Sequence, residues 1–205
     1  LYLSKIVDKK YLDFYIPDRN SEGYGISNEG IDFAKENNFA LIIALDCGIK
    51  AIYKIEYTKN LGVDFIICDH HRPGDKLPDA VAILDPKRDD CDYPYDELCG
   101  CGIGFKLIQA LAKNRNQTID DLVPYLDLVA AAIAADIVPM TGENRVLAHF
   151  GLQVINSDPR PGIKALIHQI KKQTLDITDV VFIIAPRINA AGRIKHGNHA
   201  VELLT

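Results

Sequence analysis

The chain has 205 residues, with 23 Lys and Arg against 28 Asp and Glu for a net charge of −5, and 48% of its residues are apolar. That composition predicts a packed soluble core and excludes a low-complexity or disordered polymer, and no apolar run reaches the roughly 18 residues that a membrane-spanning helix needs. The charge is uneven: residues 160–205 hold seven Lys and Arg against three Asp and Glu, a balance of +4, while residues 1–159 hold 16 against 25, a balance of −9. An acidic portion able to hold cations, followed by a basic one, fits a phosphate-containing substrate.

The five cysteines are odd in number, and Cys99-Gly100-Cys101 is spaced too closely for a zinc knuckle. They read as reduced thiols of a cytoplasmic protein. The chain opens on Leu1 with no signal-peptide pattern, and both ends read as cut from something longer.

In chain order, Leu1 to about Lys9 reads as the end of a helix. The aromatic and β-branched run Tyr11–Ile16 reads as a strand closed by Pro17. Ser27 opens a helix to about Asn38. A strand over 40–46, a helix over 49–60 and a strand over 63–68 follow, and 80–84 forms a further short strand. This alternation predicts an α/β fold, a mostly parallel sheet flanked by helices. From about Gly102 the period becomes helical, with helices over 102–111, Tyr125–Ala135, 142–156, 161–172, 178–184 and 198–204. The expected organisation is an α/β sheet core over 1–98 and a mainly helical part over 99–205.

The most informative run is Cys68-Asp69-His70-His71. It follows the apolar stretch 63–67, so a carboxylate and two imidazoles are set at a strand's carboxyl end, where open α/β sheets bind ligands. Leu41–Leu45 delivers Asp46 to the same rim in the same way. Imidazole with carboxylate suits Mn, Zn or Fe, and carboxylates alone suit Mg. Arg19–Gly25 follows the first expected strand, with Arg19 able to fork onto a phosphate and Tyr24 offering a face to a base. Pro186–Arg193 reads as a short loop with two arginines, an amide and a glycine, which also fits a helix C-cap at Gly192.

Taken in order, Ile16-Pro17-Asp18-Arg19 with Glu22-Gly23-Tyr24-Gly25, Asp46-Cys47-Gly48, Asp69-His70-His71, Leu98–Gly102 with Phe105-Lys106-Leu107, Ala135–Pro139 and Arg187–Arg193 resemble the DHH phosphoesterase superfamily. Within it they resemble the bacterial RecJ family of single-stranded-DNA-specific 5′-to-3′ exonucleases of DNA repair and recombination. The resemblance implies a two-metal Mn²⁺ or Mg²⁺ site with Asp46, His70 and Asp136 as ligands, Asp127 being the competitor for Asp136. It implies His71 on the scissile phosphate and Asp69 orienting His70. Arg19, Tyr24, Arg187, Asn189 and Arg193 would bind single-stranded DNA, with a single-strand-binding protein and a helicase as partners. The superfamily also contains phosphoesterases of short oligonucleotides, cyclic dinucleotides or pyrophosphate, and a non-catalytic replication scaffold. The family's upstream Asp-x-Asp motif and its later substrate-binding domain have no counterpart in the 205 residues, so the resemblance implies an incomplete metal site and little activity for this stretch alone. Asp85-Pro86 stands where the family has Asn-Pro.

Overall fold

The computed structural model describes residues 1–168, 170–194 and 197–205, the side chains of residues 192–194 excepted. The chain forms two compact units, Leu1–Asp96 and Glu97–Thr205.

In the first unit, the Ser27 hydroxyl accepts the Gly30 N–H at 3.0 Å and so starts helix α1 (Asn28–Glu36), satisfying one of the donors that a helix end leaves open. Strand β1 (Leu41–Leu45), helix α2 (Ile52–Asn60), strand β2 (Asp64–Cys68) and strand β3 (Ala82–Leu84) follow. The strands make one parallel sheet in the order β1-β2-β3. The register places Leu45 opposite Cys68 and Cys68 opposite Leu84. The next residues, Asp46, Asp69 and Asp85, therefore leave the sheet along one rim.

Ala44, Ile55, Phe65 and Ile67 form the core of this unit, and Ile67 is wholly buried. Burial of each such large aliphatic side chain stabilises the sheet by about 1.5–3 kcal/mol.

The strand expected over residues 11–16 does not form. Lys9–Tyr11 is a 3₁₀ turn, and among the described residues no strand pairs with the segment that follows. Tyr11 and Phe14 are exposed. Aromatic content favours a pleated surface only where a neighbouring strand completes it. Tyr15 packs on α1 instead: a Cβ built on Gly30 would lie 3.0 Å from its Cδ1, and its ring centroid is 5.4 Å from that of Phe33.

The second unit is helical. Helix α3 (Gly100–Asn114) is capped by Cys99, whose sulfur accepts the Gly102 N–H. A 3₁₀ turn at Val123–Tyr125 leads into α4 (Leu126–Ala135), followed by α5 (Gly142–Ser157). The Ala-rich face of α4 meets α5 so closely that a Cβ on Gly151 would lie 2.1 Å from the Leu126 carbonyl oxygen. Helix α6 (Pro161–Ile167) is followed by α7 (Ile177–Asp179), a π turn over Val180–Ile184, α8 (Ala185–Ile194) and α9 (Asn198–Leu204).

The Pro186–Arg193 stretch is thus a helix rather than the expected loop. Ala190 and Ala191 favour helix, and the π turn ahead of Pro186 takes up the irregularity that a proline causes. No helix among the described residues is long and apolar enough to cross a membrane.

Candidate metal centre

Asp46, His70 and His71 converge in the first unit, each offering a ligand atom within 4.8 Å of the others. Asp46 leaves β1 with its N–H still bonded to the Cys68 carbonyl at 2.8 Å, then turns into the left-handed region at φ 65°. Gly48 continues the turn at φ 114°, a conformation that favours glycine. The turn brings the Ile49 N–H onto Asp69 Oδ2 at 2.9 Å.

Asp69, 1% exposed, accepts on its other oxygen the N–H groups of His70 (2.8 Å) and His71 (3.2 Å) and contacts His71 Nδ1 at 2.7 Å. Burial is the largest single influence on this carboxyl and pushes it upward, but the bonds from Ile49, the His71 ring, and the His70 and His71 amides together hold it below the usual carboxylate range. Asp69 was expected to orient His70. It accepts the His70 amide and contacts the His71 ring, because the chain doubles back over the carboxylate within two residues.

His70 Nε2 lies 3.1 Å from Asp46 Oδ1, and the His70 ring is nearly buried while the Asp46 side chain is 55% exposed. The two imidazoles meet edge to face with centroids 4.6 Å apart. With Nδ1 tied to Asp69, Nε2 is the His71 nitrogen left for a ligand. A carboxylate binding the far nitrogen of an imidazole is the usual support of a metal-ligating histidine. One carboxylate and two imidazoles suit a divalent cation of the Mn, Fe or Zn type, and the residues present fit one.

Burial pushes the Cys47 and Cys68 thiols up to about 11, with Asp69 adding to the effect at each and Asp46 also at Cys47. The rim also carries Asp85, noted in the sequence only as a departure from the family's Asn-Pro. Asp85 is 3% exposed; its Oδ1 accepts the Lys87 N–H at 2.9 Å, and burial, aided by Asp69, raises it above the ordinary range.

Arg19 and Tyr24 stand together in the first unit, the guanidinium carbon 5.1 Å from the ring centroid. Tyr24 is 83% exposed between Gly23 and Gly25, at φ 84° and 85°. In the second unit Asp136 caps the carboxyl end of α4, its N–H on the Ala132 carbonyl at 3.0 Å, and Ile137 follows at φ 53°. A left-handed β-branched residue is strained.

Asp127 is fully buried and fork-bonded to Arg160, with Nε to Oδ2 at 2.8 Å and Nη2 to Oδ1 at 2.6 Å. Arg187 donates to the Leu166 carbonyl, Asn189 is exposed on α8, and the Arg193 side chain lies outside the described residues.

Comparison with known proteins agrees in sequence and in fold. The family model for the DHH family, N-terminal domain, matches residues 1–133. The chain is 45% identical over 198 residues to the single-stranded-DNA-specific exonuclease RecJ of Bacillus subtilis, covering 94% of this chain and 24% of that protein. To the Escherichia coli exonuclease of the same name it is 39% identical over 205 residues, covering 94% and 36%. The chain thus spans between about a quarter and just over a third of the length of these relatives.

A crystal structure of exonuclease RecJ bound to manganese superposes with a TM-score of 0.79 at 32% identity, over 93% of this chain and 48% of that one. The Mn²⁺ complex of RecJ from Thermus thermophilus gives 0.75 at 30% identity, over 86% and 26%. With the Asp69-His70-His71 run at the carboxyl end of the parallel sheet and a family model matching well over half of its residues, this chain belongs to the DHH family.

Proposed function

We propose that this chain is the metal-binding part of a phosphodiesterase that degrades single-stranded DNA from its 5′ end, acting in DNA repair and recombination in the cytoplasm. The observation that carries the reading is the convergence of Asp46, His70 and His71 with Asp69 locked behind them, in a chain similar to manganese-bound exonucleases. Asp46 and His70 hold Mn²⁺ or Mg²⁺, and Asp136 is assigned as a further ligand. Bound there, divalent ions activate a water and neutralise charge that develops in phosphoryl transfer.

The chain's own groups divide the remaining work. Asp69 keeps the proton on His71 Nδ1, and when the ring is protonated Nε2 donates an N–H to the scissile phosphate. Arg19 binds a backbone phosphate while Tyr24 stacks on a base or sugar. Asn189 and Arg193 bind the phosphate backbone with the basic segment. Arg187 contributes there with whatever of its fork its bond to the Leu166 carbonyl leaves over. The partners that supply such a substrate are a single-strand-binding protein and a helicase.

The test is Asp46→Asn in the full-length protein, with Mn²⁺ binding followed by calorimetry and digestion of 5′- and 3′-blocked single strands followed on gels. Turnover should fall by about a thousandfold or more, equivalent to roughly 4 kcal/mol of transition-state stabilisation, with the fold intact. Normal turnover in a folded variant would overturn the reading.

A further inference from the structure

The segment between Asp18 and Gly25 has no helix or strand of its own, yet it is closed by a small set of bonds that centre on one carboxylate. Glu22 Oε1 accepts the Asp18 N–H at 2.9 Å, and Glu22 Oε2 accepts the Tyr15 hydroxyl at 2.9 Å. The Glu22 N–H in turn donates to the Asp18 carbonyl at 2.8 Å. Asp18 Oδ1 gathers the amides of Asn20 (2.9 Å) and Ser21 (3.0 Å) and the Ser21 hydroxyl at 3.1 Å.

One of the donors on Glu22, Tyr15, is itself anchored on α1. Ser27 is 4% exposed and caps the helix through the Gly30 amide, and the Tyr15 ring lies against Gly30 and beside Phe33. Glu22 therefore joins an exposed, glycine-flanked turn to the first turn of a helix. The residues that this turn projects are Arg19 and Tyr24, stacked on each other and open to solvent. With its oxygens engaged by these donors, Glu22 anchors the turn rather than competing with a phosphate for Arg19.

We propose that Glu22, with Tyr15 as its tether to α1, is a positioning residue for the Arg19–Tyr24 contact with a single-stranded nucleic acid. The proposal rests on the reading of Arg19 and Tyr24 as substrate contacts given above. Glu22 touches neither substrate nor metal. Its effect passes through the angle at which the Tyr24 ring is offered. Stacking of a base on an aromatic ring is a directional contact, and it is lost when the ring samples many orientations. The carboxylate is suited to the task because it ties the start of the turn, through the Asp18 amide, to Tyr15, which packs on α1.

The experiment uses the full-length protein and a fluorescein-labelled single-stranded oligonucleotide, with binding measured by anisotropy in the absence of metal and turnover in its presence. Glu22→Ala should weaken binding by about tenfold, the lower part of the range set by base stacking. KM should rise to match, while kcat at saturating substrate and Mn²⁺ affinity stay within about twofold, as a uniform binding effect requires. In a Tyr24→Ala background the same substitution should have no further effect, because Glu22 acts through that ring.

If Glu22→Ala does not fold, Tyr15→Phe removes a single hydroxyl and should weaken binding in the same direction by a few-fold. Undiminished binding in both variants, a loss that adds fully to that of Tyr24→Ala, or a fall in kcat or Mn²⁺ affinity instead of a rise in KM would each overturn the proposal. The underlying reading fails separately: if Tyr24→Ala alone leaves binding unchanged, Arg19 and Tyr24 are not the substrate contact.

Discussion

The two units each contain an aspartate removed from solvent, Asp69 at 1% and Asp127 at 0% exposure, and they solve the cost of burying a charge in opposite ways. Asp69 is surrounded by main-chain donors: the amides of Ile49, His70 and His71, with the His71 ring as a fourth partner. Asp127 is met by a side-chain cation, the fork of Arg160, whose remaining N–H groups reach the carbonyls of Pro124 and Leu204 at 3.0 Å each. Amides of two rim turns cannot move without the backbone moving, so Asp69 fixes the shape of the turn that carries Asp46 and the tautomer of His71. The guanidinium ties the start of α4 to the segments around α6 and α9. A buried carboxylate held by backbone amides and an imidazole serves a site; one consumed by an arginine fork serves the packing of helices.

That contrast is most sharply tested by breaking the second of the pair. Asp127→Ala leaves Arg160 nearly buried with no counter-charge, and removing one partner of such a pair costs about 3–5 kcal/mol. The midpoint of urea denaturation should fall accordingly, while Mn²⁺ affinity of the folded fraction is unchanged. A variant that keeps its stability and loses metal would make Asp127 the ligand in place of Asp136.

Gly151→Ala provides an uncharged control in the same unit. Its new Cβ would lie 2.1 Å from the Leu126 carbonyl oxygen, so α4 and α5 must separate, at a cost of about 3 kcal/mol, the upper end for overpacking. Denaturation should register the whole effect and calorimetric metal titration none.

Asp69→Asn should invert that pattern. The amide keeps the volume but sets an N–H₂ group against backbone donors, a loss of about 1–3 kcal/mol in stability. Metal affinity should fall by roughly ten- to a hundredfold, as for other outer partners of metal ligands, because the carboxylate holds the turn that carries Asp46 through the Ile49 amide. A stability loss with unchanged Mn²⁺ binding would place Asp69 in the same class as Asp127.

The smallest effect concerns acid. Because Asp69 is held below its ordinary value, its ionised form contributes stability that is fully present above the unfolded carboxylate value of about 3.9 and is lost as pH falls through the lower folded value. Metal-free protein should lose stability below about pH 4 more steeply than Asp69→Asn does. Superimposable acid limbs for the two proteins would show that the carboxylate is not differentially held.

Much of the first unit could be read from local order. Apolar runs of five or six residues bounded by Asp, Gly and Pro define β1 and β2, and Ser27 followed by an apolar period defines α1. That Asp46, His70 and His71 come together was legible for the same reason, since the residues that follow a strand's end are a local property. The run at 11–16 misled because β-forming side chains describe a tendency that a partner strand must complete. The segment 186–193 misled because Gly and Pro mark a turn only where tertiary contacts do not hold the helix through it.

By itself the sequence determined the strand–helix alternation, the metal-type residues at two strand ends and the glycines of the 18–25 turn, all set by side-chain chemistry within a few positions. Only the tertiary structure decided the pairings. The Asp69 carboxylate contacts the His71 ring, Asp127 is met by Arg160, thirty-three residues away, and Glu22 is anchored on α1 through Tyr15. Which donor meets which acceptor depends on sheet register and on how turns fold back, and those are set by burial summed over the whole unit.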